Sequence, residues 1–516
     1  MKICKLSNFE IKNEKAALVF LSIVSCLFVL ICSTTTSIFF PIYSNGDSVV
    51  FQTEGKFWAE GHLPYVEMWD LKGPIIFFVD AVGYFLFGSK IGILLIQFIN
   101  IIFTDILVYK ILRLRLNCTA STVWSLIVLF SFTLDYGTGN TVSEFCLPVI
   151  FLSFYLLVKW RDTWVNETNS EHHPAYALIY GVCFAVCLLS RVTNAVGVCG
   201  AVAVIVISLI IDEKWLNLLK NALMFLLGVF MVVFPFVIYF LSKDALYELY
   251  YGTIGYNLEY ILNSGTSLSL NDPLGIITFI VGFANSFLLL ITGIILLFTD
   301  KQRRRAGILW SAVALLSVVY FMKSNGYTHY AIIAFPYLPV AVVELSSLIS
   351  EKKEREKNSF VYRSCAACMA VVITISILSG ILGVKNTASE YYSHHVVKAN
   401  SGTPTQIDAA CEICKIIPED EKESFVAYNC PQGLYLYLDV CPYYEYFCFQ
   451  DWSIKQGPSL KSKILERFST GDVKWILITT DSDEEVYNVI KSRYTLVEEA
   501  AVPYSEKFYQ LYRINE

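Results

Sequence analysis

Two groups of polar residues interrupt a chain that is otherwise dominated by apolar runs. The first lies in Asn-Gly-Asp-Ser-Val-Val-Phe at 45–51 and Glu-Gly-His-Leu-Pro-Tyr-Val-Glu-Met-Trp-Asp-Leu-Lys-Gly-Pro at 60–74, which place Asp47, Tyr65, Glu67, Asp70 and Lys72 on one short segment. The second consists of Arg191 in Leu-Ser-Arg-Val-Thr and His329 in Gly-Tyr-Thr-His-Tyr, each at the mouth of an apolar run. A carboxylate with one or two cations is a sufficient set for one kind of chemistry: the acid removes a proton from a hydroxyl while the cations stabilise a departing phosphate. Each residue also has a plainer reading. Asp47 reads as a solvated loop acid or helix cap, and Lys72 as a surface lysine before a Gly-Pro turn. Arg191 reads as a snorkelling side chain, and His329 as an interfacial hydrogen-bond donor. A cation at the outer end of a membrane span is nevertheless off-pattern, and ionisable residues at membrane depth are functional candidates. Arg191 and His329 are therefore functional candidates, which would contact the phosphate of a phosphate-bearing donor if the chain handles one.

The elements that position these residues are membrane helices. Of 516 residues, 55% are hydrophobic and only 16% charged, against about a quarter charged in soluble chains. Runs of about twenty apolar residues suit a hydrocarbon core roughly 30 Å thick. Candidate spans fall at 15–40, 91–110, 118–134, 145–160, 175–190, 193–211, 219–241, 273–299, 306–322, 330–349 and 361–383. This predicts an all-α polytopic membrane protein with about eleven crossings. With the N-terminus cytoplasmic, 20 of the 26 Lys and Arg residues before 385 lie inside, in accord with the positive-inside rule. The first span has no clear cleavage site and reads as a retained anchor. Residues 74–88 are apolar but too short to cross, so they read as a helix in the outer leaflet. The first external loop then runs from 41 to 90 and carries the polar group.

Residues 1–384 hold 26 basic against 25 acidic residues, and 385–516 hold 13 against 20. A boundary near Lys385 therefore separates a transmembrane domain from a small extracytoplasmic α/β domain. Strands are expected at 424–428, 443–449, 473–480 and 508–514, with helices at 461–468 and 484–492. Of the 15 cysteines, Cys411, Cys414, Cys430, Cys441 and Cys448 belong to this tail, where one or two disulfides would fit an oxidising compartment. The tyrosines at 250, 251, 256 and 260 would stack on sugar faces or form an aromatic belt. The composition argues against a nucleic-acid partner, and there is no Gly-rich phosphate loop.

The segments at 47–51 and 60–74 resemble the GT-C fold lipid-donor glycosyltransferases, the bacterial relatives of protein O-mannosyltransferases and of the lipid A aminoarabinose transferase. The shared features are an acidic residue after the first span, a Pro-Tyr-x-Asp/Glu stretch, and Lys-Gly-Pro opening the second external helix. The order of later features follows more loosely over about 15–350. The resemblance implies a plasma-membrane hexosyl- or pentosyltransferase that moves a sugar, with inversion, from a polyprenyl-phosphate donor to an extracytoplasmic glycan, lipid or protein. Asp47 would take the acceptor proton and Lys72 would face the donor phosphate. Glu144, in Asn-Thr-Val-Ser-Glu-Phe at 140–145, stands where relatives more often have Asp, and would be a second catalytic carboxylate, a support or a metal contact. Tyr65, Glu67 and Asp70 would hold the loop, and Asp80 would face water or Lys90. No cofactor is required; a divalent metal on Asp47 and Glu144 is possible, but two carboxylates on separate loops make a weak site. The competing classes are a transporter or flippase for lipid-linked glycans, which calls for mid-membrane ionisable residues and two similar halves, and a non-catalytic assembly protein.

Overall fold

The computed structural model describes residues 13–40, 43, 46–166, 170–263, 283–299, 301–323, 328–355, 360–393, 405–456 and 458–515. Asn45 and four of the expected cytoplasmic lysines (Lys2, Lys5, Lys12 and Lys357) lie outside them, as do the side chains of Tyr260 and His329. The first nine helices are α1 (Glu14–Cys32), α2 (Asp47–Ala59), α3 (Pro74–Phe87), α4 (Lys90–Arg113), α5 (Cys118–Tyr136), α6 (Leu147–Asn166), α7 (Pro174–Arg191), α8 (Val196–Ile211) and α9 (Trp215–Leu241). Their ends follow local chemistry. Asn117 accepts from the Ala120 N–H at the start of α5, proline occupies the first turn of α3 and α7, and Gly88 closes α3 in the left-handed region. α1 stops at Cys32, short of the expected 40, because Ser33-Thr34-Thr35-Thr36-Ser37 follows, and such side chains compete for backbone hydrogen bonds.

The chain divides into two compact units. One comprises Met1–Ser33, Leu94–Phe236 and Thr266–Ala388. It is a helical bundle whose later members are Ala284–Leu297, Lys301–Lys323, Tyr337–Arg355 and Phe360–Tyr392. Its core runs through Phe132, Phe151, Trp310, Phe335 and Leu338. α9 presents Leu216, Leu219, Leu223, Leu227, Phe230 and Phe234 outward, which is the surface a helix needs in lipid. Among the described residues, eight helical stretches are long and apolar enough to cross a membrane, one of them the run Pro174–Ile211. The protein is a multi-pass helical membrane protein.

The other unit comprises Thr34–Ile93, Val237–Gly265 and Ser389–Glu516. Its four-stranded sheet has the order β1-β2-β4-β3, formed by β1 (Phe425–Tyr428), β2 (Trp475–Thr479), β3 (Tyr494–Ala501) and β4 (Phe508–Ile514). β1 and β2 are parallel and buried throughout, whereas β2–β4 and β4–β3 are antiparallel. The segment 443–449 is not a strand, and β3 is one that its acidic pattern hid. The five cysteines of the tail are free thiols. Val50 and Phe57 of α2 and Met68 of the following loop share one core with Ile413, Leu434, Phe447 and Trp475. Each such side chain, buried from water, contributes about 1.5–3 kcal/mol.

Candidate functional site

α2 begins at Asp47 because Gly46 takes φ 123°, a turn few other residues tolerate. α3 begins with Pro74, which follows the Lys72-Gly73 pair. The two helices approach closely: a Cβ on Gly55 would lie 2.3 Å from the Asp80 Cβ, so only glycine fits there. Asp80 is consequently buried at this contact rather than facing water, and Lys90 donates to the Phe40 carbonyl at 2.6 Å.

The loop between α2 and α3 is held by its own polar groups. Tyr65, at φ 67°, donates its hydroxyl to the Lys72 carbonyl at 2.6 Å, and its ring packs on Phe77 and Phe240. Glu67 accepts from the Leu63 N–H and lies 3.4 Å from His62. Asp70 accepts from the Lys72 N–H at 3.0 Å. Asn257 donates to the Leu71 carbonyl at 2.7 Å. The Trp69 backbone N–H donates to the Glu445 carbonyl at 2.8 Å, and the Trp69 ring meets Tyr256 and Tyr446 edge-on.

These contacts bring the Lys72 ammonium between two carboxylates, 3.6 Å from Asp47 and 3.5 Å from Asp70. The side chains are 54% exposed for Asp47, 14% for Lys72 and 6% for Asp70. Asp47 therefore meets solvent while Asp70 anchors the lysine from behind. Behind both lies Glu54, fully buried, with neither carboxyl oxygen hydrogen-bonded. Burial holds Glu54 well above the usual carboxylate range; Asp70 raises it further and Lys72 opposes. Burial also raises Asp70, with Lys72 lowering it and Asp47 raising it. Burial and the neighbouring Asp70 thus favour the protonated form of Glu54. The loop thus presents one exposed carboxylate, Asp47, beside an ammonium backed by Asp70.

In the helical bundle, Glu144 and Arg191 enter a second network. Glu144 accepts from Tyr136 at 2.9 Å, from Gln97 at 3.0 Å and from the Asn140 N–H at 2.8 Å. Its own carbonyl accepts from Asn100. Arg191 donates to the Ser143 hydroxyl at 2.6 Å and to Asn194 at 3.3 Å, and its guanidinium stacks 4.0 Å from the Tyr330 ring centroid. Gln97, Asn100, Asn194, Glu54 and Asn257 belong to these networks although none stands out in the sequence as a candidate. Gln97 and Asn100 carried a signal as lone amides, one turn apart, inside an apolar run. His329 is the second residue of the 3-10 helix Thr328–Ala334. Among the described residues, no three His, Cys, Asp or Glu side chains gather where they could hold a metal ion.

The likeness to solved structures gives the chain the GT-C fold. The structure is similar to that of ArnT from Cupriavidus metallidurans bound to undecaprenyl phosphate, at 13% identity over 96% of this chain and 97% of that one, with a TM-score of 0.56. It is also similar to the oligosaccharyltransferase of Archaeoglobus fulgidus, at 11% identity over 91% of this chain and 70% of that one, with a TM-score of 0.50. The likeness is one of fold. By sequence, residues 7–380 match the model of the competence-induced protein Ccs4 N-terminal domain, and the chain belongs to that family. No curated protein matches the sequence.

Proposed function

We propose that the protein is a glycosyltransferase of the plasma membrane that moves a hexose or pentose from a polyprenyl-phosphate carrier to an extracytoplasmic acceptor. The carrying observation is the exposed Asp47 carboxylate 3.6 Å from the buried-side Lys72 ammonium. Asp47 takes the proton of the acceptor hydroxyl as the oxygen attacks the anomeric carbon. Lys72 stabilises the phosphate as the carbon–oxygen bond to it breaks. One base and direct displacement give inversion. A phosphate-linked donor carries its own leaving group, and ArnT of the same fold is known with undecaprenyl phosphate bound. Asp70 neutralises Lys72 from behind between turnovers, and Glu144 supports its loop, since both of its oxygens are already engaged. Arg191 and His329 are assigned to phosphate contact, with Arg191 held in orientation by Ser143 and Tyr330. The excess of basic residues between alternate spans supports a cytoplasmic N-terminus and an extracytoplasmic tail. The tail's contacts with Trp69 favour a role in fixing the catalytic loop.

A second reading, a transporter for lipid-linked glycans, draws on Asp105 in α4 and Asp135 in α5, both buried and each with a carboxyl oxygen lacking a hydrogen bond. Mass spectrometry of envelope glycans and polyprenyl lipids separates the two in cells expressing wild type, no protein, or Asp47→Asn at equal level. The transferase reading expects Asp47→Asn to match the deletion, with one sugar missing and the charged donor lipid accumulating. Wild-type glycans with Asp47→Asn, together with loss in Asp105→Asn, would move the transporter ahead.

A further inference from the structure

Glu54 lies on the same face of α2 as Asp47. Asp47, Phe51 and Glu54 are spaced i, i+4 and i+7, so they follow one another along one stripe of the helix. The Lys72 ammonium sits beside that stripe, 3.6 Å from Asp47 and 5.9 Å from the Phe51 ring centroid. Glu54 is therefore the next acid inward from the pair to which the proposed reaction is assigned. It is fully buried, and neither carboxyl oxygen has a hydrogen-bond partner among the described residues. The titratable groups around it are Lys72, Asp70 and Tyr65 from the loop and Cys448 from the tail, and Asp80 of α3 is buried against the neighbouring Gly55. Lys72 already faces two carboxylates, Asp47 and Asp70. A charged Glu54 would set three acids around one ammonium, at a place where no donor hydrogen-bonds it and solvent does not reach. Such a charge is costly, which favours the protonated side chain. It would also repel any anion brought to Lys72.

We propose that Glu54 is a positioning residue for the phosphate contact: uncharged, it leaves the Lys72 ammonium to the donor phosphate, and charged, it competes with that phosphate for the ammonium. This role rests on the reading of Lys72 as the phosphate-facing cation. As pH rises, Glu54 gives its proton to solvent, the charge around Lys72 becomes more negative by one unit, and phosphate affinity falls. Glutamine in its place has nearly the same shape and no proton to lose, so the fall should vanish. Asp47, Asp70 and the phosphate ligand titrate with either side chain present, and the ratio of the two affinities therefore isolates Glu54.

The test is equilibrium binding of radiolabelled undecaprenyl phosphate to the full-length protein in detergent micelles between pH 6.5 and 9.5. Wild type is compared with Glu54→Gln, with Glu54→Leu, and with each of the three combined with Lys72→Ala. At pH 6.5 wild type and both uncharged variants should bind alike. By pH 9.5 wild type should have weakened about tenfold relative to both. Any binding left after Lys72→Ala should be the same with and without Glu54, because the effect passes through the ammonium; complete loss there places the phosphate on Lys72 outright. A wild-type to Glu54→Gln ratio that stays constant across pH overturns the role. So does a pH-dependent ratio that survives Lys72→Ala, or loss of binding at pH 6.5 in both uncharged variants. No binding by wild type at any pH is a different failure, since it removes the lipid-phosphate reading itself and this role with it.

Discussion

Replacing Glu54 by glutamine should make the protein more stable at neutral pH than the wild type. Glu54 is fully buried, neither of its oxygens is hydrogen-bonded, and burial raises its pKa well above 4.5. The folded state thus keeps a proton that the unfolded chain releases once pH exceeds about 4.5. Raising pH therefore favours the unfolded chain, and the stability present on the acid side is lost as pH rises toward the folded pKa. One proton corresponds to a slope of about 1.4 kcal/mol per pH unit. Between pH 5.5 and 7.5 the wild type would lose at most about 2.7 kcal/mol through this residue. Glutamine has nearly the same shape and no such proton, and other titrating groups cancel in the comparison. The assay is the unfolding midpoint of both proteins in one detergent at pH 5.5 and 7.5, followed by tryptophan fluorescence. Wild type and Glu54→Gln midpoints that move in parallel would refute the argument, because the folded protein would then carry Glu54 charged or solvated.

Gly55→Ala should destabilise the α2–α3 contact by about 1–3 kcal/mol, since the added Cβ would lie 2.3 Å from the Asp80 Cβ and 2.8 Å from backbone atoms; a lowered unfolding midpoint checks this. Trp69→Ala should cost about 3–5 kcal/mol by emptying the space between Tyr256 and Tyr446, and limited proteolysis should then cut residues 405–515 sooner than in wild type.

The parts legible in the sequence were those where one physical requirement dominates. Long apolar runs announced helices, and the acidic stretch with Pro-Tyr and Lys-Gly-Pro announced the loop that carries Asp47 and Lys72. What stayed hidden depends on partners distant in the chain. Tyr443–Phe449 is aromatic and strand-like by propensity, yet its backbone turns, with Phe449 at φ 49°, and the Glu445 carbonyl faces Trp69. β3 escaped because it is an edge strand whose Glu498 and Glu499 stay exposed, the charged pattern by which edges resist further pairing. Glu54 looked like any helix acid, since nothing within α2 reveals that Phe57 and Val50 beside it are covered by the tail.

That covering has a consequence for biogenesis. The compact unit holding Asp47 and Lys72 is assembled from Thr34–Ile93, Val237–Gly265 and Ser389–Glu516. The loop leaves the ribosome early, whereas the residues that bury Val50, Phe57 and Met68 come last. With 345 positions from Met68 to Ile413, synthesis at about 5–20 residues per second leaves the loop waiting roughly 17–70 s for its partner. During that interval these side chains lack their partners from the tail and turn that surface to lipid, water or a chaperone. A nascent chain stopped before residue 405 would insert its helices but lack the residues that set the loop. Synthesis of the tail, rather than membrane insertion, is then the event that sets the loop.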